Sequence, residues 1–103
     1  MNDLTYIAET KDCPMGAARE FVVEGQILAV FNVDGNYHVL DGVCPHQGGP
    51  LGKGELDGNV VTCPWHGWSF DVESGKCKIS EMIAQPKFEI HIVEDKIYAK
   101  LTT

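Results

Sequence analysis

Long hydrophobic segments and basic residues are both scarce in this chain. No apolar run approaches the roughly 20 residues needed to span a bilayer, so we predict no membrane association. The 103 residues include 8 Lys and Arg against 15 Asp and Glu, which gives a net charge of −7. Nucleic acids and anionic lipid surfaces attract basic proteins, so this balance excludes both as partners. A partner protein with a basic surface fits the charge better.

A secretion signal is also absent from the sequence. The first residues, Met1 to Thr5, contain neither a basic region nor an apolar stretch after it. We therefore expect a cytoplasmic protein, in a compartment where disulfides are rare. A length of 103 residues corresponds to one domain, and we assign residues 1–103 to it. That length leaves no room for a separate catalytic domain.

Sustained helical periodicity is missing as well. Short apolar and β-branched runs alternate instead with turn-forming residues such as Asp34-Gly35-Asn36. This rhythm predicts an all-β fold, an antiparallel sandwich or partly open barrel. The predicted strands are Leu4 to Ala8, Arg19 to Val23, Gln26 to Asn32, Tyr37 to Asp41, Val60 to Thr62, Ser69 to Asp71, Lys76 to Ile79, Phe88 to Val93 and Lys96 to Leu101.

Two short motifs each combine one thiol with one imidazole. They read C-P-H at Cys44–His46 and C-P-W-H at Cys63–His66, and a hairpin through residues 52–59 brings them together. Mononuclear zinc accepts two Cys and two His, but its usual spacing pairs Cys with Cys and His with His. If two mixed loops face each other, both Cys lie at one end of the site and both His at the other. That arrangement favours two metal ions, and a structural zinc site is the alternative.

These motifs resemble the signature of the Rieske [2Fe-2S] proteins in their ligand types, their spacing, the proline after each Cys and the glycine after the second His. The resemblance covers nearly the whole chain, because the strand and turn rhythm on both sides is similar to that of Rieske ferredoxins. It implies one [2Fe-2S] cluster per chain, bound by loops within residues 42–70. It also implies that Cys44 and Cys63 bind one iron, and that His46 and His66 bind the outer iron.

Four positions distinguish the chain from the Rieske proteins of respiratory and photosynthetic complexes. Those proteins carry a disulfide where this chain has Gly49 and Trp65, and hydroxyl groups near the cluster where it has Trp68 and Phe70. Without these groups, the resemblance implies a low-potential protein and not a quinol-oxidising subunit. We expect a reduction potential near the lower end of the Rieske range, about −150 mV.

The low-potential type implies a soluble, monomeric electron carrier that is not itself an enzyme. It would pass one electron from a reductase to a terminal ring-hydroxylating oxygenase, docking its partners around Gln47, Trp65 and Pro86. The small Rieske-like subunit of NAD(P)H nitrite reductase is the alternative. A complete oxygenase would need a further iron site with two His and a carboxylate. His38 and His91 show no such spacing, and we expect both to face solvent.

Two further cysteines lie outside the motifs. Cys13 has no His nearby in sequence, and Cys77 stands between Lys76 and Lys78. We interpret both as small packing residues or free thiols. A disulfide between them is the alternative.

Overall fold

The computed structural model describes residues 4–43, 48–65, 67–80 and 82–101. Within these ranges the chain forms β-strands and two short 3₁₀ turns, Thr10–Asp12 and Leu51–Lys53, and no α-helix. The strands are β1 (Leu4–Glu9), β2 (Ala18–Val23), β3 (Gln26–Val33), β4 (Asn36–Asp41), β5 (Glu55–Asp57), β6 (Val60–Thr62), β7 (Ser69–Asp71), β8 (Lys87–Phe88), β9 (Ile90–Val93) and β10 (Lys96–Lys100). No helix in the described ranges is long and apolar enough to cross a membrane. The predicted all-β fold is confirmed.

Three hairpins are closed by tight turns in which two consecutive residues have positive φ. The turns lie at Glu24–Gly25, Asp34–Gly35 and Glu94–Asp95, with φ between 51° and 91°. Positive φ at both central positions is typical of the type I′ turn, whose twist matches that of the flanking strands. The strands predicted on the two sides of each turn pair with each other as hairpins.

The strands form three antiparallel sheets that pack as layers. The first sheet has the order β1-β10-β9, the second β2-β3-β4-β8 and the third β5-β6-β7. A first core joins the first and second sheets, and a second core joins the second and third sheets. The third sheet belongs to the region that carries both predicted ligand motifs, so the second core is the support of the predicted metal centre.

Strand β3 lies between the two cores and contributes to both. Alternate side chains of a strand face opposite sides of its sheet. Leu28 and Val30 are fully buried in the first core, and Ala29 and Phe31 are fully buried in the second. The apolar partners in the first core include Ile7, Val39, Phe88, Ile97 and Ala99, and those in the second include Leu40, Leu51, Val61, Phe70 and Val72.

Three strand predictions were wrong in detail. Glu55–Asp57, which we assigned to a turn, forms β5 and pairs with β6. The segment Lys76 to Ile79 makes isolated bridges at its first two residues and then bends, so it is no strand of the described chain. Phe88 to Val93 is interrupted at Glu89, because β8 pairs in the second sheet and β9 in the first. The chain has to cross between layers at that residue.

Candidate metal centre

The first ligand loop leaves the second sheet at the end of β4. An antiparallel bridge between Val43 and Pro50 closes the loop, and the N–H of Leu51 donates to the carbonyl of Gly42 at 2.9 Å. Gly42 packs so closely on β3 that a Cβ atom there would lie 2.7 Å from Cγ2 of Ile27. Leu51 is fully buried in the second core. Both ends of the loop are therefore fixed to the sheet beneath it.

The second ligand loop connects β6 to β7. Thr62 and Ser69 pair across its base, with their hydroxyl oxygens 3.1 Å apart. One residue further along, the N–H of Cys63 donates to the carbonyl of Trp68 at 2.7 Å. Gly67 has a φ of +72°, which glycine adopts without the steric penalty of a side chain. The predicted ligand Cys63 thus begins a short turn that is closed by its own backbone.

The two ligand loops meet at Gly49. A Cβ atom at this position would lie 2.7 Å from Sγ of Cys63 and 3.0 Å from Cβ and Cγ of Trp65. The first distance is shorter than real Cβ contacts, so only glycine fits here without a shift of its neighbours. Cys63 is 1% exposed. The backbone of the first loop therefore covers the thiol of the second.

Of the four predicted ligands, Cys63 is the one that the structure describes. Its sulfur lies at the junction of the two loops, as a site built from both loops requires. Cys44, His46 and His66 lie outside the described residues, so their role as ligands stays a prediction.

The predicted docking residues are described in part. Trp65 is 50% exposed although its Cβ and Cγ lie next to Gly49. Pro86 is exposed, and Val43, which the sequence did not single out, is exposed beside the first ligand loop. Gln47 lies outside the described residues. Trp65 therefore packs against the opposite loop and also presents apolar surface to solvent.

A cavity of about 480 Å³ opens on one flank of Cys63. In the part of the chain that the structure describes, its charged lining residues are one basic and one acidic side chain. The described residues that line the cavity are Lys53, Glu55, Thr62, Cys63, Pro64 and Gly67.

The two remaining cysteines belong to the cores. Cys13 lies in the first core and Cys77 in the second, and they form no disulfide with each other. Sγ of Cys13 donates to the carbonyls of Ala17 and Val30 at 3.5 Å each. Burial raises the pKa of the Cys13 thiol to about 11, so it stays protonated at neutral pH, unlike a metal-binding thiolate. The interpretation as packing residues is confirmed, and the disulfide alternative is wrong.

The two histidines outside the motifs differ in exposure. His91 faces solvent as predicted, with Nε2 2.8 Å from Oε2 of Glu89. His38 is half-buried in β4, and this burial lowers its pKa. The prediction of a solvent-facing side chain was therefore right for His91 and only partly right for His38.

Sequence reasoning missed the roles of Gly49 and Gln85. Gly49 was noted as a position without a disulfide cysteine, although the Gly48–Gly49 pair within a ligand loop could have indicated a close backbone contact. The sequence singled out Pro86 and not its neighbour Gln85. Gln85 is buried and donates hydrogen bonds to carbonyls more than 40 residues away, at Asp41 and Val43. No local pattern in the sequence indicates such a contact.

The described residues fit a metal cluster held between two loops. Cys63 offers a soft sulfur ligand of the kind that iron–sulfur clusters use, and it lies at the edge of an apolar core that limits access of water. Gly49 brings the first loop into direct contact with that sulfur. Each loop contributes one Cys and one His in sequence, which is the mixed donor set expected for two iron ions.

Several known proteins are similar to this chain. Apoptosis-inducing factor 3 from Homo sapiens is 34% identical over 91% of this chain, which spans 16% of that relative. The Sphingomonas yanoikuyae B1 ferredoxin has a TM-score of 0.87 at 28% identity, covering 95% of this chain and 98% of that chain. A chain from the complex of reduced oxygenase and oxidized ferredoxin in carbazole 1,9a-dioxygenase has a TM-score of 0.86 at 27% identity, covering 97% of this chain and 94% of that one.

A structure described as an NADH-dependent nitrite reductase small subunit from Mycobacterium tuberculosis shares the fold, with a TM-score of 0.86 at 18% identity over 97% of this chain and 96% of that chain. The model of the Rieske [2Fe-2S] domain family matches residues 3–92. The predicted [2Fe-2S] cluster is therefore supported, and the alternative of a structural zinc site is not. The chain belongs to the Rieske [2Fe-2S] domain family.

Proposed function

We propose that this chain is a Rieske ferredoxin that carries one electron at a time from a reductase to a terminal ring-hydroxylating oxygenase. The main support is its likeness to a ferredoxin along almost the full length of both chains, at 28% identity. A chain from a complex of oxygenase and ferredoxin, at 27% identity, supports an oxygenase as the partner. We further propose Cys44 and Cys63 as ligands of one iron, and His46 and His66 as ligands of the other. Its cytoplasmic location stays a prediction.

The described residues provide a site that would hold the cluster and an exposed apolar surface beside it for a partner protein. When bound, the cluster supplies a one-electron redox couple whose potential depends on its ligands and surroundings. Cys63 would hold it at the edge of the second core, and Gly49 keeps the two ligand loops in contact. Trp65 and Val43 present exposed apolar surface next to these loops. Apolar side chains at the centre of an interface exclude water and let two proteins approach closely.

Reconstitution of electron transfer tests this proposal. The purified holoprotein would be mixed with a flavin-dependent reductase, NADH and a ring-hydroxylating oxygenase encoded near its gene, and substrate hydroxylation would be measured. We expect hydroxylation to depend on this chain. Hydroxylation at the same rate without it would contradict the proposal, as would support of nitrite reduction by a sirohaem reductase in place of hydroxylation. That second result would favour the nitrite reductase alternative.

The reduction potential is expected to lie near the lower end of the Rieske range, about −150 mV. Neither Trp68 nor Phe70 carries a hydroxyl group that could stabilise the reduced cluster. Phe70→Tyr should raise the potential if its new hydroxyl reaches a cysteine sulfur, because a hydrogen bond to sulfur favours the added negative charge. Protein-film voltammetry measures both values. A wild-type potential several hundred millivolts higher would refute this reading.

Phe31→Tyr is the matched control for the Phe70 variant. Both rings are fully buried in the second core, so both variants add a hydroxyl to an apolar site. Burying that hydroxyl without a partner costs about 1–3 kcal/mol of stability. We expect Phe31→Tyr to lower stability and leave the potential unchanged. A similar potential shift in the two variants would mean that the effect of Phe70→Tyr is not local.

Trp65→Ala is expected to weaken partner docking. Tryptophan is enriched among the residues that dominate interface energies, and half of this side chain is available to a partner. We expect the oxygenase concentration for half-maximal turnover to rise about tenfold, with an unchanged potential. Steady-state titration with the oxygenase measures the change, and Ile92→Ala, an exposed apolar residue on β9, is the control. Normal docking with faster cluster loss would instead show that the indole shields the cluster.

A further inference from the structure

Gln85 is a buried polar residue that joins distant segments around the first ligand loop. It is 4% exposed and lies just before β8. Its side-chain nitrogen Nε2 lies 2.6 Å from the carbonyl oxygen of Asp41 and 2.6 Å from that of Val43. The backbone repeats the connection, because the N–H of Asp41 donates to the carbonyl of Pro86 at 2.9 Å. The segment before β8 is therefore fastened to the chain as it leaves β4.

The two carbonyls that Gln85 binds lie where regular strand pairing ends. Strand β4 ends at Asp41, and Val43 directly precedes Cys44 in the sequence. A backbone carbonyl buried without a donor costs free energy, so a chain that leaves a sheet needs other donors. A primary amide carries two N–H groups and can satisfy two carbonyls at once. Gln85 thus replaces the missing sheet partner at the entrance to the first ligand loop.

The backbone of Gln85 extends the connection to the hairpin of the second ligand loop. Its N–H donates to the carbonyl of Gly75 at 2.6 Å, and the N–H of Gly75 donates to the carbonyl of Asp71, the last residue of β7, at 2.7 Å. Gly75 has a φ of +83°, and a Cβ atom there would overlap the Gln85 carbonyl oxygen. Glycine is therefore required for this approach. One residue is hydrogen-bonded to the start of one ligand loop and to the turn that follows the other.

We infer that Gln85 is a positioning residue for the [2Fe-2S] centre, which fixes the start of the first ligand loop relative to the β6–β7 hairpin and so slows loss of the cluster. The inference rests on the proposed assignment of Cys44 and Cys63 as ligands. Residues that orient metal ligands through hydrogen bonds commonly change metal affinity by about 10- to 100-fold when they are replaced. Gln85 differs from most such residues because it acts through the backbone on either side of a ligand and not through the ligand itself.

Gln85→Met tests the inference. Methionine has a similar length and volume but no N–H group, so both carbonyls lose their donor while packing is kept. The purified holoprotein would be incubated with a chelator, and the decay of its visible absorption would be followed. We expect the cluster to be lost about 10- to 100-fold faster than from the wild type. Gln26→Met, which removes an amide from β3 at the β2–β3 turn, is the matched control and should decay at the wild-type rate.

Two further measurements separate positioning from a general effect on folding. The electron paramagnetic resonance spectrum of reduced Gln85→Met should show altered g values, because the first loop is no longer fixed. The holoprotein of Phe31→Tyr, a variant expected to lose stability through the second core alone, should lose its cluster more slowly than Gln85→Met at the same chelator concentration. Unchanged g values together with wild-type decay would overturn the inference, and so would equally fast cluster loss from Gln85→Met and Phe31→Tyr.

The wild-type protein provides a test if the variant fails to fold. The side-chain N–H groups of Gln85 should exchange with solvent much more slowly than those of Gln26 in a ¹⁵N-labelled holoprotein, and equal exchange would overturn the inference. The same samples distinguish this inference from the proposed function. A wild-type protein without a Rieske spectrum would defeat the ligand assignment itself. A normal wild-type spectrum with no effect of Gln85→Met would defeat the role of Gln85 alone.

Discussion

Cys63→Ser is expected to abolish binding of the cluster. The thiol is buried where the two ligand loops meet, and a serine hydroxyl is a hard, weakly acidic donor that does not replace a thiolate on iron. Metal binding also contributes to folding, so the variant should lose stability as well as colour. Iron and sulfide analysis of the purified variant, together with its visible spectrum, measures the loss.

Cys77→Ser is the matched control for this variant. Cys77 is buried in the same second core, so the substitution introduces the same polar atom into the same apolar environment. We expect Cys77→Ser to cost some stability and to keep a full cluster. If Cys63→Ser retained iron at the wild-type level, Cys63 would not be a ligand. Equal loss of iron from both variants would point to damage of the core and not to loss of a ligand.

Gly49→Ala is expected to have the next largest effect. Its single added methyl group would lie 2.7 Å from the sulfur of Cys63 and 3.0 Å from two atoms of Trp65. A shift of the sulfur away from the methyl group would disturb the packing of Cys63 in the second core. Overpacking of this kind costs about 1–3 kcal/mol, and here the cost arises at the predicted ligand itself. We expect a protein that folds but purifies with most of its cluster missing.

Iron content per folded chain measures the effect of Gly49→Ala. The control is Gly58→Ala in the β5–β6 turn, where no atom lies within 4 Å of the added methyl group but φ is +60°. That backbone conformation costs an alanine about 1–2 kcal/mol, so the control loses comparable stability without a clash. Gly58→Ala should keep its cluster. A full cluster in Gly49→Ala would show that the two loops can separate at this contact without consequence.

The sequence was most informative where a local pattern determines the structure. The pairs Glu24–Gly25 and Asp34–Gly35 predict their hairpins, because each turn type restricts the residues that can occupy it. The mixed Cys and His motifs favoured two metal ions over zinc, and their resemblance to the Rieske signature implied the [2Fe-2S] cluster. The all-β fold followed from the same alternation of short apolar runs and turns.

Contacts between residues far apart in the chain could not be predicted from the sequence. Glu55–Asp57 forms β5 although two of its three residues are acidic, because pairing with β6 outweighs a weak intrinsic preference. Lys76 to Ile79 has the composition of a strand but lacks a continuous partner in the described chain. Gln85 bonds to residues 42 and 44 positions away, and only the folded chain brings them together.

The shared position of β3 limits how this redox site can be transplanted. The single segment 42–72 contains both motifs. The core beneath it also needs Phe31 and Ala29 of β3 and Leu40 of β4. The side chains on the opposite face of β3 pack in the first core. A protein engineer who moved the two loops and their hairpin alone would leave that apolar underside open to water. Grafting this metal site onto another scaffold therefore requires β3 and β4, and a second layer to cover their far side.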